Sequence, residues 1–207
     1  MSLPGFETRT KTTAVIDLHQ QQDDIFSHFN DTTRNEIRKT YNISDFKVVS
    51  LDRNFDEAYI LYKKFEYKQG RVPFTRNDLK DCLIFSAYLK GDMISAIFVD
   101  KGVNDLRIRY IFSKRLQTED KELYKMIAYA TRRVMWEVCI WGKANHFHSL
   151  DLASINFQNP DVANITQFKM SFGGEVVNEY TYVYKSFLFK IFEKLAGPKN
   201  YIKKLFH

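Results

Sequence analysis

Hydrophobic and polar positions along the chain change period many times, and each change marks an element. The β-branched run at residues 12–18 (TTAVIDL) predicts a short strand. Residues 23–29 read as a helix with Ile25, Phe26 and Phe29 inward. Thr33 and Glu36 have capping-box spacing, so a new helical turn is expected to start there. On it Arg34 and Arg38, four apart, share a face, while Ile37 points elsewhere. Residues 46–51 read as a strand, and 55–69 as a helix ended by Gly70 and followed by Pro73. Thr75 and Asp78 mark a further short helix start. Two apolar strands, 83–89 and 93–99, flank a tight turn at Lys90-Gly91-Asp92, where glycine supplies the positive φ of such turns. A second turn at Asn104-Asp105 leads into a strand at 106–112.

The longest helical pattern spans residues 120–141, with Leu123, Met126, Ile127, Ala130, Val134 and Val138 at helical spacing. Glu119, Asp120 and Glu122 crowd its start and complement the helix dipole. A strand at 148–153, a helix at 165–172 and a strand at 175–184 follow; two-residue alternation puts Tyr180, Tyr182 and Tyr184 on one strand face. After residue 82 the order is βββ-α-β-α-β. That predicts an α+β fold, a mixed and mainly antiparallel sheet flanked by helices. The expected organisation is one domain over residues 12–185, then an amphipathic helix at 186–196 within a basic tail, 186–207. Residues 1–11 read as polar and loose.

Composition fits a globular chain. It has 207 residues, 44% hydrophobic and 15% aromatic, including 18 Phe and 12 Tyr, which promises a core and pocket walls rich in rings. The net charge of +6 suits an anionic partner (nucleotide, phosphate, RNA or membrane surface) or a solvated basic surface. Cys82 and Cys139, the two cysteines, sit among apolar residues and read as buried small hydrophobes, not a disulfide framework. No basic stretch followed by an apolar run opens the chain, and no apolar run approaches ~18 residues. A cytoplasmic protein is expected, at most lying on the inner face of a membrane; the apolar residues of 187–206 would pack on the domain or, with the lysines, on that surface.

The candidate chemistry centres on Lys169. It stands beside the inner face of a helix, just before the glycine stop Gly173-Gly174. A cation there would steady a developing negative charge, or would snorkel over ring faces. Arg34 and Arg38 would grip a phosphate or diphosphate, or form a solvated face beside Glu36. Acyl transfer to an amine needs the amine neutral, so Asp151 and Glu175 are candidate proton acceptors and Tyr184 a candidate proton donor to the leaving group. Gly173 and Gly174 suit a helix end, or a close backbone approach to a donor. His146 and His148 fall on one strand face without a convincing third ligand, so no metal is expected. No motif places a Ser or Cys beside a His, which favours direct attack by the acceptor amine over a covalent intermediate.

The segments TTAVIDL, TTRNEIRK, GRVPFT, DLASIN and ITQFKMSFGGEVV, spread over residues 12–184, resemble the Fem-like branch of the GNAT acyltransferase superfamily. That branch includes peptidoglycan aminoacyltransferases and smaller acyltransferases of envelope-polysaccharide pathways. The resemblance implies a GNAT-like architecture in single-domain form, with the Phe168-Lys169 pair at the acyl-transfer centre and Arg34 and Arg38 on the acceptor's diphosphate. The expected reaction moves an acyl group from acyl-CoA to a primary amine of a nucleotide- or lipid-linked amino sugar, or a related envelope precursor, without a metal. Two features depart from the pattern. Larger Fem enzymes carry two GNAT-like domains, and this chain has room for one. The glycine-rich pyrophosphate loop before the long helix is replaced by SKRLQTED, residues 113–120, leaving Lys114 and Arg115 to favour a donor phosphate. An aminoacyl-tRNA donor, or a non-catalytic module that binds an anion, therefore stand as alternatives.

Overall fold

A computed structural model describes residues 6–186 and Phe189. In chain order the elements are β1 (Phe6–Asp17), α1 (Gln22–Ser27), α2 (Asp31–Thr40), β2 (Phe46–Ser50), α3 (Phe55–Lys68), α4 (Arg76–Leu79), β3 (Leu83–Leu89) and β4 (Asp92–Lys101). There follow β5 (Asp105–Ser113), a 3-10 turn at Lys114–Gln117, α5 (Lys121–Ala144), β6 (Ser149–Ile155), a 3-10 turn at Pro160–Val162, α6 (Ala163–Met170) and β7 (Glu175–Tyr184). Contacts divide the chain into two compact units. The larger is Thr13–Val177; the described part of the smaller is residues 6–12 with 178–186 and Phe189. β1 and β7 each run from one unit into the other.

The strands form one sheet in the order β2-β3-β4-β5-β6-β1-β7. The α+β expectation holds. β2, β3, β4 and β5 pair antiparallel in succession. The β3–β4 turn has positive φ at Lys90 (52°) and Gly91 (86°), the conformation a two-residue hairpin with right-handed twist demands. β5 and β6 pair in parallel, and their register runs only through Asp105↔Ser149, Leu106↔Leu150 and Arg107↔Asp151. β5 continues to Ser113 and β6 to Ile155, so the two strands part beyond Arg107 and Asp151.

Helices pack on both faces of the central strands. α5 sets Ile127, Ala130, Val134, Met135, Val138 and Cys139 against Ile97, Val99, Leu106, Ile108, Leu150 and Leu152. α3 carries Ala58, Leu61 and Tyr62 onto a second cluster with Phe98 and Phe112. Phe98 is fully buried, with ring centroids of Tyr62 and Phe112 at 5.8 and 4.8 Å.

Two local expectations change. β1 begins at Phe6, ahead of the expected start at residue 12, because its first half is held by the end of β7 and the residue after it, in the smaller unit: Phe6 meets Tyr184 at 5.6 Å and Glu7 pairs with Lys185 at 2.7 Å. α2 begins at Asp31 with Asn30 as its cap, its side chain accepting from Thr33 N at 2.8 Å. Glu36 turns inward instead of closing a box with Thr33, because Arg132 on α5 draws it there at 3.0 Å. The Thr75–Asp78 capping box is present. The expected helix at 186–196 and the basic tail lie outside the described residues, Ser186 and Phe189 apart. Phe98→Ala should cost about 3–5 kcal/mol of unfolding free energy through the cavity it leaves, measured by urea titration.

Candidate active site

The two most distinctive segments of the sequence, around residues 30–38 and 165–177, meet in space. Asn30 N donates to Ser171 O at 3.0 Å, and Thr33 Oγ1 donates to Ser171 Oγ at 3.0 Å. Ser171 Oγ in turn donates to Phe168 O at 2.6 Å, which closes the last turn of α6. The chain then leaves through Gly173 at φ 68°. A Cβ at Gly173 would run into the His28 carbonyl, and one at Gly174 would press on the Val15 backbone at 3.2 Å. Both glycines therefore let the end of α6 lie flush against the α1–α2 connection and β1. Gly173→Ala should destabilise by more than about 2 kcal/mol, combining left-handed backbone strain with the clash; thermal or urea unfolding reads it directly.

This packing sets Lys169 inside the protein, 9% exposed. Its ammonium donates to the Ser154 carbonyl at 2.9 Å. Ser154 follows Ala153, which has φ 62° within β6, a left-handed conformation rare for a non-glycine residue. Asp151, just before it, is held from three sides. Its Oδ1 accepts from the Thr13 hydroxyl and, at 2.7 Å, from Ala153 N; its Oδ2 pairs with Arg107 at 3.0 Å. The cluster Thr13–Asp151–Arg107–Lys169 thus sits where β5 and β6 part, built from β1, β5, β6 and α6.

Burial pushes the Lys169 pKa down to about 8, Asp151 partly opposes that shift, and Arg107 adds to it. The amine is mostly protonated at neutral pH and close to its titration point. Holding it protonated inside the fold costs about 3 kcal/mol. The folded chain gives up this proton near pH 8 and the unfolded chain only near 10.5, so the cost is full below pH 8 and is relieved as pH rises through that window. Wild-type protein should therefore gain stability relative to Lys169→Met by about 3 kcal/mol as pH is raised from about 7 to about 11, measured by paired urea titrations.

The other expected site residues are dispersed. Arg34 is committed within the fold: its guanidinium donates to the Ser27 carbonyl, to Phe29 O at 2.7 Å, and to Asp31. Arg38 is exposed, lying over the Phe26 ring at 5.4 Å. Phe168 packs edge-on to Phe172 at 5.1 Å, with the Arg132 guanidinium over its ring at 5.3 Å. Tyr184 belongs to the smaller unit and is 67% exposed. Lys114 pairs with Asp92 at 3.6 Å, and Arg115 lies over Tyr124 at 4.1 Å. Glu175 is exposed on a cleft of about 560 Å3 that also touches Asp17, His19, His28, His148 and Gly173. That cleft does not reach Lys169 or Asp151, but Val15 and Ser149 on its wall stand two residues from Thr13 and Asp151 on the same strands. His146 sits in a turn at φ 63°, while the His148 ring meets that of His19 at 4.6 Å in a tilted arrangement. Among the described residues no three His, Cys, Asp or Glu side chains are grouped as a metal would need.

Sequence reasoning missed Thr13, Arg107, Glu36 and Arg132. Arg132 is 18% exposed on α5, lies 3.0 Å from Glu36, and donates to Thr33 Oγ1 at 3.3 Å. Glu36 Oε2 is within ion-pair reach of Arg132 yet forms no aligned hydrogen bond. The polar residues of the TTRNEIR stretch that meet α5 are thus Thr33 and Glu36, not its arginines. Four-residue spacing brought the arginines forward; the inward pair depends on α5, about 100 residues away in sequence.

No family model and no curated protein matches the chain by sequence. Solved structures do match in fold. FemX superposes with a TM-score of 0.69 at 11% identity, over 89% of this chain and 63% of that one. The C-terminal domain of a putative lysylphosphatidylglycerol synthetase from Agrobacterium fabrum gives 0.63 at 11% identity, over 88% and 62%. L-PGS from Bacillus licheniformis gives 0.56 at 13%, over 91% and 65%. The chain shares its fold with FemX and these two synthetase structures. It spans under two thirds of the length of each of these three structures. On this Fem-like fold, Lys169 and Asp151 lie beside the place where the two parallel strands separate. Among the described residues no helix is long and apolar enough to cross a membrane.

Proposed function

We propose that this protein is an acyltransferase that moves an activated acyl group onto a primary amine of a nucleotide- or lipid-linked cell-envelope precursor, at the cytoplasmic side of the membrane. The observation that carries this reading is the buried Lys169 ammonium at the parting of β5 and β6. A buried cation is costly, and it is suited to a reaction that creates negative charge on a carbonyl oxygen. The acceptor amine attacks the acyl carbonyl directly, the oxygen becomes anionic, and Lys169 stabilises it. The tetrahedral adduct then collapses: the bond to the carrier breaks, Lys169, with its pKa near 8, protonates the departing group, and the neutral Lys169 amine takes up the proton that the acceptor nitrogen sheds. Asp151, tied to Thr13, Ala153 and Arg107, holds the charge balance around the ammonium.

Acyl-CoA is the donor the sequence favoured. A specific observation supports the second donor, an aminoacyl-tRNA. At the start of α5, where a donor pyrophosphate would meet free amides, Asp120 already accepts from Glu122 N at 2.8 Å and Leu123 N at 3.3 Å. The likeness to a synthetase named for an aminoacylated lipid, lysylphosphatidylglycerol, points the same way. Turnover assays with acetyl-CoA, longer acyl-CoA and charged tRNA, each with amino-sugar nucleotides and lipid-linked amines, separate the donors. Lys169→Ala should lower transfer by roughly a hundredfold to a thousandfold. The wild-type rate should fall as pH rises through about 8, and Lys169→Arg should lose that alkaline limb. Full activity in Lys169→Ala would remove the proposal.

A further inference from the structure

The strands of the smaller unit are the first part of β1 and most of β7. Among its described residues, 6–12, 178–186 and Phe189, none is buried. Two strands by themselves make a marginal unit in water; stability comes with further strands or a covering layer. The β1 part reads FETRTKT and is polar apart from Phe6. The β7 part is different. Tyr180, Tyr182 and Tyr184 share one strand face, and Thr181 and Val183 share the other. Phe6, Tyr180 and Tyr184 are all exposed, with the Phe6 ring 5.6 Å from that of Tyr184. The transfer steps proposed above use none of these rings.

β7 is also the last strand of the sheet, so among the described residues no strand pairs with its outer edge. Such an edge is a template for another chain unless it is guarded. β2, at the opposite end of the sheet, is five residues long and carries Lys47, two features that discourage edge pairing. β7 runs for ten residues, Glu175–Tyr184, without a lysine, proline or glycine. Its second half is complementary to itself. Residues 179–185 read EYTYVYK. Laid antiparallel against an identical segment with Tyr182 on the twofold axis, Glu179 faces Lys185, Tyr180 faces Tyr184, Thr181 faces Val183, and Tyr182 faces Tyr182. Opposite charges meet at both ends, and tyrosines oppose tyrosines along one whole face, the cross-strand pairs that stabilise a sheet. Centring on Glu179 would instead set that carboxylate against its own copy. Lys185 already holds Glu7 at 2.7 Å, and an ammonium has three donors, so a second carboxylate is within its capacity.

We propose that β7 pairs antiparallel with β7 of a second copy of this chain, about a twofold axis at Tyr182. The two smaller units then share four strands, and the interface is isologous, the same patch on both copies. The occupant is a second copy because the segment matches itself end for end in charge and in ring position. This surface is independent of the acyl-transfer reading.

Analytical ultracentrifugation of the full chain over a concentration series should show a monomer–dimer equilibrium. Tyr182→Lys removes the axial ring pair and opposes two ammonium groups, and it should raise the dimer Kd by roughly tenfold or more. Glu179→Lys and Lys185→Glu should each weaken self-association. An equimolar mixture of the two should recover it as a heterodimer, because every charge then meets its opposite; that rescue separates lost pairing from a damaged fold. Tyr182→Cys should form a disulfide with its own copy under mild oxidation, since directly opposed residues lie about 4.5–5.5 Å apart at Cα. Tyr180→Cys should not, because the two copies of residue 180 stand about 14 Å apart along the strands, but it should cross-link when mixed with Tyr184→Cys. A chain that stays monomeric throughout the series overturns the proposal, and a monomer that sediments with phosphatidylglycerol vesicles through these rings assigns them to a lipid surface instead. A dimer indifferent to Tyr182→Lys, a mixture without rescue, or equal self-cross-linking at 180 and 182 overturns it as well.

Discussion

A protonated amine held inside a folded protein is the constraint around which this molecule is arranged. Lys169 is 9% exposed and satisfies one proton on the Ser154 carbonyl. That carbonyl is aimed by the left-handed backbone of Ala153. The nearby negative charge comes from Asp151, itself anchored by Thr13 and Arg107. The supporting groups come from three strands, Thr13 from β1, Arg107 from β5 and Asp151, Ala153 and Ser154 from β6, so the cluster exists only when those strands are assembled. A strain at Ala153 and a desolvation cost at Lys169 in the same few residues are the kind of local expense that structures keep at sites of chemistry.

The helix that carries Lys169 is fixed by a second layer. Ser171 receives both the Asn30 amide and the Thr33 hydroxyl, and Arg132 closes the assembly from α5 by contacting Thr33, Glu36 and Phe168. The Gly173-Gly174 exit removes side chains where two backbones must touch. α6 is only eight residues long, from Ala163 to Met170, too short to hold its shape unaided. Its position is a property of α1, α2 and α5 as much as of its own sequence. Arg132 joins the two layers, with Nε turned to the supporting network and its guanidinium over the Phe168 ring.

β5 and β6 part close to the buried ammonium. Three register pairs hold the strands parallel, and then each follows its own connection, β5 to the basic turn and β6 to α6.

Much of the fold was written in the local pattern. The period-two runs of β3 and β4, the Lys90-Gly91 turn, the apolar stripe of α5 and the glycine stop after α6 are short-range features, and backbone geometry dictates them within a few residues. Lys169 was legible for the same reason, as a cation out of place beside an apolar helix face and a glycine pair. Tertiary structure alone decided what surrounds it. Arg107 and Thr13 reach Asp151 across strands that are neighbours only in the folded sheet, and Glu36 turned inward because Arg132 waited about 100 residues away. The arginine pair at positions 34 and 38 looked alike in sequence and came to differ in the fold, because one side chain found the carbonyls at the end of α1 and the other found a ring and solvent. Hydrogen bonding and desolvation act between groups that share a place, and only the fold fixes which groups those are.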